Sequence, residues 1–225
     1  MNYKSIAIDG PSGAGKSTLA RRVAEEMKFI YVDTGAIYRT VGLAAKRAGL
    51  KFGENAAVAA LLPGLHIKVA YDGDGKQRMY LNGEDVSDAI REPEIAMYAS
   101  DVSAMPAVRE FLMEMQRSMA RHNDVIMDGR DIGTVVLPDA QLKIFLTAAP
   151  EIRAERRYLE LLDRDDKSSF ENVLSNILTR DKNDSTRAIA PLRRAPDAVL
   201  LDTSELDFEQ SLEAIINLIK VKYGL

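Results

Sequence analysis

Apolar residues in the first part of the chain alternate between short continuous runs and helical spacing. Residues 5–8 and 29–32 are mainly apolar runs, typical of strands that are buried on both faces. Between them, residues 17–28 repeat apolar side chains three and four positions apart, which predicts a helix covering the first strand. A similar helix is predicted over residues 36–48, after an exit turn over residues 33–35. Strand, helix, strand, helix is the order that produces a parallel sheet.

The pattern changes character near residue 65. Residues 66–71 alternate between apolar and polar side chains, and residues 78–81 resume as a strand after turn-forming residues 72–75. The Asn-Gly pair at positions 82–83 is a strong hairpin signal. This stretch predicts a small antiparallel meander inserted into the α/β domain.

Three more apolar runs, at residues 125–127, 142–146 and 198–201, bring the predicted parallel sheet to five strands. Helical spacing returns between these runs and after the last of them. Further helices are predicted after Pro93, after Pro106, from Pro150, over residues 169–182 and after the capping residue Asp207. The expected fold class is therefore α/β, with helices flanking a five-stranded parallel sheet in a single domain over residues 1–225.

Composition excludes several classes of protein. With 225 residues, 46% of them hydrophobic and 28% charged, the chain resembles an ordinary globular domain. Its net charge of −4 argues against a nucleic acid polymer as partner, and the absence of cysteine excludes disulfides and thiolate metal sites. No apolar stretch is long enough to cross a bilayer or to form a signal-peptide core. We expect a monomeric cytoplasmic protein with no membrane partner.

The segment after the first strand fits the phosphate-binding pattern Gly, any four residues, Gly-Lys-Ser/Thr. Its glycines let successive backbone N–H groups point at one anion, and the helix behind adds its positive dipole end. Lys16 supplies a charge for the β- and γ-phosphates, and Ser17 offers its hydroxyl to Mg²⁺. The expected ATP-binding residues are Gly10, Pro11, Ser12, Gly13, Ala14, Gly15, Lys16, Ser17 and Thr18.

Arginines from separate segments complete the candidate chemistry. Arg39, Arg109 and Arg130 are expected to converge, because ligands of open α/β sheets bind at the carboxyl ends of the strands. Positions 180, 184 and 187 share one face if their helix continues, and so do positions 153, 156 and 157. Taken singly, each arginine has the alternative of a solvated ion pair on its own helix. Together with a phosphate loop, they indicate phosphoryl transfer between two nucleotides, which needs Mg²⁺ and several guanidiniums.

Four motifs carry a resemblance to a known family. Residues 9–17, 33–39, 128–134 and 180–191 are similar to the corresponding motifs of bacterial cytidylate kinases, and the match runs along the whole chain. The resemblance implies a P-loop kinase fold with a lid at about residues 150–168. It also implies a monophosphate-binding insert over residues 62–92, which contains the predicted meander. The implied reaction converts ATP and CMP into ADP and CDP, with dCMP also accepted.

The resemblance also implies roles for individual residues. Lys16 and Arg180 would face the transferring phosphoryl group, together with Arg130 and Arg187 as catalytic arginines, and Arg153 and Arg157 would contact ATP from the lid. The acceptor phosphate would be held by Thr34, Arg39, Arg130 and Arg187, the sugar by Asp184, and the cytosine by Ser100, Arg109 and Asp131. Ser103 is a neighbour of the same type as Ser100, so the choice between these two serines is open.

The chemistry of cytosine agrees with these roles. Its N4 amino group and its O2 and N3 acceptors call for one carboxylate and at least one donor, which Asp131 and Arg109 provide. Asp128 is expected either to hold Mg²⁺ through water or to cap a helix.

Other functions remain open at this point. A GTPase needs an Asn/Thr-Lys-x-Asp segment after a strand, and residues 181–184 lack the Asn or Thr. A nucleotide sensor without turnover is a second alternative, and a kinase acting on UMP or AMP is a third.

Overall fold

A computed structural model describes residues 3–163 and 166–224. Its strands are β1 Ser5–Asp9, β2 Ile30–Asp33, β3 Ile67–Tyr71, β4 Gln77–Leu81, β5 Glu84–Asp85, β6 Val125–Gly129, β7 Leu142–Thr147 and β8 Val199–Asp202. Its helices are α1 Lys16–Met27, α2 Thr34–Arg47, α3 Asn55–Leu61, α4 Pro93–Ser103, α5 Pro106–His122, α6 Pro150–Leu162, α7 Phe170–Thr186 and α8 Phe208–Tyr223.

Five strands form one parallel sheet in the order β2-β6-β1-β7-β8. The central strand β1 has a fully buried apolar segment, Ile6 to Ile8, as a strand covered on both faces requires. Ile6 and Ile8 pack with α1 and α8 on one face, while Ala7 packs with α2, α4 and α5 on the other. The predicted five-stranded α/β fold is confirmed.

The predicted meander is also confirmed. Strands β3, β4 and β5 form a separate three-stranded antiparallel sheet, and β3 pairs with β4 from Ile67–Leu81 to Tyr71–Gln77. Met79 and Leu81 of this sheet join the same apolar cluster as helix α2. The small sheet therefore shares a hydrophobic core with one face of the large sheet.

Two local boundaries differ from the sequence prediction. Helix α2 begins at Thr34, directly after β2, so the expected exit turn is wrong; Asp33 accepts a hydrogen bond from the Ala36 amide and caps the helix. Helix α7 extends to Thr186 and Arg187 follows it in an extended conformation, so the condition that the helix continues through position 187 is not met. Asp207 caps α8 as predicted, with Gln210 completing a capping box.

Helices α6 and α7 pack together through a small apolar cluster of their own, centred on Ala154, Val173 and Ile177. Helix α6 contains most of the region predicted as a lid, of which residues 164–165 lie outside the described residues. The division into a lid and a monophosphate-binding insert stays a prediction. Across residues 3–163 and 166–224, every helix falls short of the length and apolarity that a membrane span requires.

Candidate active site

The phosphate loop connects β1 to α1 in a backbone conformation that depends on glycine. Gly10 has φ 153°, and a Cβ there would lie 1.9 Å from the carbonyl oxygen of Leu146. Gly15 has φ 80° at the N-cap of α1, where it turns the loop into the helix. The amides of the loop and of the first turn of α1 thus lie at one end of the sheet, as an anion site requires.

Lys16 is buried within this loop. Its ammonium donates a hydrogen bond of 2.6 Å to the carbonyl oxygen of Pro11. Burial, followed by the nearby charge of Arg130, lowers the pKa of Lys16 well below its usual value. A nucleotide phosphate chain would bring the negative charge that this buried cation needs.

Ser17 and Asp128 form the candidate magnesium site. The Ser17 hydroxyl donates to Asp128 Oδ2 at 2.8 Å, and the buried Tyr31 hydroxyl donates to Asp128 Oδ1 at 2.9 Å. Asp128 lies within β6 and is not the N-cap of any helix in residues 3–163 and 166–224. Burial, with Asp33 as the second cause, raises the pKa of Asp128.

The donor set at Ser17 and Asp128 suits Mg²⁺. Magnesium is commonly held by one or two protein oxygens, while phosphates and water complete its shell. No cluster of three or more acidic or histidine side chains able to hold a metal occurs in the described ranges, 3–163 and 166–224. The hydroxyl of Ser17 and the carboxylate of Asp128 therefore fit a metal that binds together with a nucleotide.

Two residues predicted to bind the acceptor phosphate, Thr34 and Arg39, follow the end of β2. The Thr34 hydroxyl donates to the backbone carbonyl of Asp128 at 2.7 Å. Arg39 donates to Asp33 Oδ2 at 2.8 Å, so the carboxylate that caps α2 also orients this guanidinium. Thr34 and Arg39 thus lie beside the strand end that carries Asp128.

Asp131 is buried between two arginines. Arg109, itself buried, donates to Asp131 Oδ2, and Arg187 donates to Asp131 Oδ1 at 3.3 Å. Asp131 makes no capping hydrogen bond to the π-helical turn Ile132–Val136 that follows it. Burial raises the pKa of Asp131, and the charges of Arg109 and Arg187 oppose this rise.

The two candidate serines differ in their contacts. The Ser103 hydroxyl donates to the Ser100 carbonyl at 2.9 Å and lies 3.4 Å from Arg187 Nη1, while Arg109 donates to the Ser103 carbonyl at 3.1 Å. The Ser100 hydroxyl has no hydrogen-bond partner in the part of the chain that the structure describes. The Ser103 hydroxyl is thus hydrogen-bonded within the protein, and the choice between Ser100 and Ser103 stays a prediction.

Helix α7 and the residue after it carry the last of the residues predicted to bind the acceptor, Asp184 and Arg187. Arg130 donates to Asp184 Oδ2 at 2.7 Å, across 54 residues of sequence. Arg187 reaches Asp131 from beyond the helix end, and the carbonyl of Ala190 accepts from its Nε at 2.7 Å. Arg180 makes no ion pair within residues 3–163 and 166–224. The arginines predicted to converge thus pair with carboxylates at three positions, Asp33, Asp131 and Asp184, and their convergence on one ligand stays a prediction.

The arginines of α6 separate into different environments. Arg153 is 3% exposed and donates to the carbonyls of Ala148 and Ser12, both at 2.8 Å, and to both oxygens of Asp181. It thus supports the phosphate loop from behind. Arg156 donates to the Thr203 carbonyl at 2.7 Å, whereas the more exposed Arg157 pairs with Glu160 at 2.9 Å.

Three carboxylate or hydroxyl side chains that bond to residues of the candidate site are not predicted from the sequence: Asp9, Tyr31 and Asp181. Asp9 ends β1, and its two oxygens accept from the amides of Ile132 and Gly133, both at 2.7 Å. This carboxylate connects the phosphate loop to the turn that follows Asp131. Its signal in the sequence is an acid at the end of an otherwise apolar run. The roles of Tyr31 and Asp181 depend on contacts across 97 and 28 residues, which no local spacing reveals.

The structure also bears on the GTPase alternative. Residues 181–184 lie within helix α7, whereas a guanine-reading segment follows a strand. The nearest candidate for such a segment therefore does not have the required position.

The chain is similar to known proteins over nearly its whole length. The family model for cytidylate kinase matches residues 6–221. A cytidylate kinase of Caldicellulosiruptor bescii is 47% identical over 218 residues, which cover 97% of this chain and 96% of that protein. A cytidylate kinase of Citrifermentans bemidjiense is 47% identical over 215 residues, which cover 96% of this chain and 92% of its own.

One solved structure supports the fold alone. It is that of an uncharacterized protein from Eubacterium ventriosum, with 11% identity and a TM-score of 0.51. The match covers 96% of this chain and 98% of that one.

Proposed function

This chain belongs to the cytidylate kinase family, a family of nucleoside monophosphate kinases, and we propose that its site transfers the γ-phosphoryl group of ATP to CMP or dCMP. The products are ADP and CDP or dCDP. The observation that carries the assignment is the buried carboxylate of Asp131, held by Arg109 and Arg187 beside the phosphate loop. An ionised carboxylate accepts from the N4 amino group of cytosine, whereas it repels the O4 of uracil.

The acceptor phosphate binds among Thr34, Arg39, Arg130 and Arg187 in this proposal. Arg39 and Arg130 are oriented by Asp33 and Asp184, so they need little reorganisation to meet a phosphate. Asp184 also accepts hydrogen bonds from the sugar hydroxyls.

The base is recognised by Ser100, Arg109 and Asp131. Several guanidiniums around one phosphate stabilise the charge that spreads over the transferring group.

The donor side uses the phosphate loop, residues 10–18. Lys16 exchanges its hydrogen bond to the Pro11 carbonyl for the β- and γ-phosphates, and Arg180 approaches the transferring group from α7. Arg157 is the arginine of α6 that we assign to ATP, because Arg153 has its donors occupied behind the loop. No general base is needed, since the attacking atom is already a phosphate oxygen.

Ser17 and Asp128 would hold a magnesium ion in this proposal, Asp128 through water. Such an ion would supply positive charge to the phosphates of ATP during the transfer. Two hydrogen bonds orient the carboxylate of Asp128: Tyr31 donates to one of its oxygens, and Ser17 donates to the other.

A panel of acceptors tests the assignment. ADP formation is followed by a coupled assay with ATP, Mg²⁺ and each of CMP, dCMP, UMP and AMP. We expect CMP and dCMP to give the highest kcat/KM. A folded protein that binds the nucleotides without forming ADP would be a sensor, and one that prefers UMP or AMP would contradict the base-reading role of Asp131. A monomeric state and a cytoplasmic location stay predictions.

A further inference from the structure

Strand β2 lies at one edge of the five-stranded sheet, and part of that edge is covered by side chains instead of by another strand. The covering residues are Tyr71 and Gln77, which are partners in the last pair of the β3–β4 ladder, next to the turn 72–76. The end of this hairpin therefore reaches the strand from which the acceptor-side residues emerge.

Gln77 binds the backbone of Asp33 as a neighbouring peptide group would. Its side-chain Oε1 accepts from the Asp33 amide at 2.8 Å, and its Nε2 donates to the Asp33 carbonyl at 3.2 Å. Tyr71 adds a third hydrogen bond, from its hydroxyl to the carbonyl of Tyr31 at 3.0 Å. Burial raises the pKa of Tyr71 well above its ordinary value, so this hydroxyl is a donor at every working pH.

The residue that Gln77 holds is central to the acceptor side. Asp33 caps α2 through the Ala36 amide and pairs with Arg39, both at 2.8 Å. Little free space surrounds it: a Cβ on Gly35 would lie 3.0 Å from Asp33 Oδ1 and 3.1 Å from Arg39 Nη1. A displacement of the Asp33 backbone would therefore move Arg39 and the first turn of α2, which includes Thr34.

We propose that Gln77, assisted by Tyr71, is a positioning residue for the acceptor phosphate, because its carboxamide fixes the strand end from which Thr34 and Arg39 reach that phosphate. The inference rests on the proposed function. In this proposal the small antiparallel sheet positions the acceptor site through Gln77, which contacts the backbone of Asp33 and not the substrate.

The test compares Gln77→Ala and Tyr71→Phe with a control on the same strand, Arg78→Ala. Arg78 pairs with Asp85 on β5 at 2.7 Å, so its removal disturbs the small sheet without touching β2. We expect Gln77→Ala to raise the KM for CMP about tenfold, as the loss of two hydrogen bonds predicts, and to change the KM for ATP less than about twofold. Tyr71→Phe should raise the KM for CMP about threefold. Arg78→Ala should leave both KM values unchanged.

Hydrogen exchange separates positioning from simple stabilisation. The Asp33 amide should exchange faster in Gln77→Ala, and it should stay protected in Gln77→Glu, which retains an acceptor oxygen for that amide. The proposal is overturned if Gln77→Ala lowers only the melting temperature, or if it raises the KM for CMP and the KM for ATP equally. Failure of the proposed function would differ, because the unmodified protein would then form no ADP with CMP.

Discussion

Individual arginines on the acceptor side are neutralised by carboxylates of the chain itself. Arg39 pairs with Asp33, and Arg130 pairs with Asp184. A buried guanidinium without a partner would be costly, so these pairs let the site form before a nucleotide arrives. The sequence indicated arginines as candidates for the acceptor site, but it did not indicate their carboxylate partners. Arg130 and Asp184 are 54 residues apart, and no helical spacing connects them.

The first prediction concerns Lys16 at the donor phosphates. Lys16→Met keeps most of the side-chain volume but removes the charge, so we expect kcat to fall by about 10²- to 10³-fold, as when a transition-state donor is lost. A coupled assay for ADP with saturating CMP measures this. Circular dichroism should show an intact fold, and the exposed Lys28→Met serves as the control. Activity near that of the unmodified protein would contradict the role of Lys16.

The second prediction concerns the choice of base by Asp131. Asn keeps the shape of Asp131 and can donate to the O4 of uracil, so Asp131→Asn should lower kcat/KM for CMP and bring it closer to that for UMP. The free-energy difference that corresponds to the ratio of the two kcat/KM values should decrease by about 1–3 kcal/mol, the usual value of a good base-edge contact.

Both acceptors are measured under the same conditions, together with thermal unfolding. Asp131 makes no capping bond that Asn could replace, so a purely structural role would appear as lower stability through Arg109 and Arg187. If the folded variant kept the same ratio of kcat/KM for CMP to kcat/KM for UMP, Asp131 would not be the residue that distinguishes the two bases.

At the scale of elements, the apolar pattern was sufficient to locate all five core strands and the meander. The exit turn predicted after β2 was wrong, because Asp33 both ends β2 and caps α2, and no turn separates the two elements. The end of α7 was also missed, because its last turn lacks a glycine or proline that would mark it. Contacts between elements, such as Gln77 with β2, have no local signal.

The third prediction concerns the contact of α6 and α7 with the phosphate loop. Arg153→Met leaves the carboxylate of Asp181 and the carbonyl of Ser12 without their donor, and we expect the free energy of unfolding to fall by about 3–5 kcal/mol. Arg157→Met, on the same helix, removes an exposed pair and should cost less than about 1 kcal/mol. Denaturant unfolding of both variants measures the difference. Equal losses would contradict a supporting role for Arg153.

At the scale of the whole molecule, the order of the sheet decides which distant residues meet. Strand β1 lies between β6 and β7, so the end that carries Asp9 adjoins the turn after Asp131. Alternation of strands and helices predicts a parallel sheet, but it leaves the order of the strands undetermined. Residue types and motifs therefore identified the candidate site, whereas the carboxylate that connects its two halves became visible only with the topology.

Asp9 also makes global stability depend on pH, and this is the fourth prediction. Burial is the main reason that the pKa of Asp9 rises from 3.8 to about 6. The unfolded chain releases this proton near pH 4, while the native protein keeps it until about pH 6, so the native state binds more protons between these values. Stability from Asp9 is therefore present below pH 4 and is lost as pH rises to about 6, by about 3 kcal/mol in total.

The variant Asp9→Asn cannot titrate and isolates this effect from all other acids. We expect the free energy of unfolding of the unmodified protein, minus that of Asp9→Asn, to decrease by about 3 kcal/mol between pH 4 and pH 7. Urea unfolding at several pH values measures both proteins. Because the same carboxylate holds the amides of Ile132 and Gly133, the variant also changes stability at every pH, and only the pH-dependent part of the difference counts. A difference that stays constant across this range would show that the pKa of Asp9 is the same in the native and unfolded protein, with its two amide hydrogen bonds offsetting its burial.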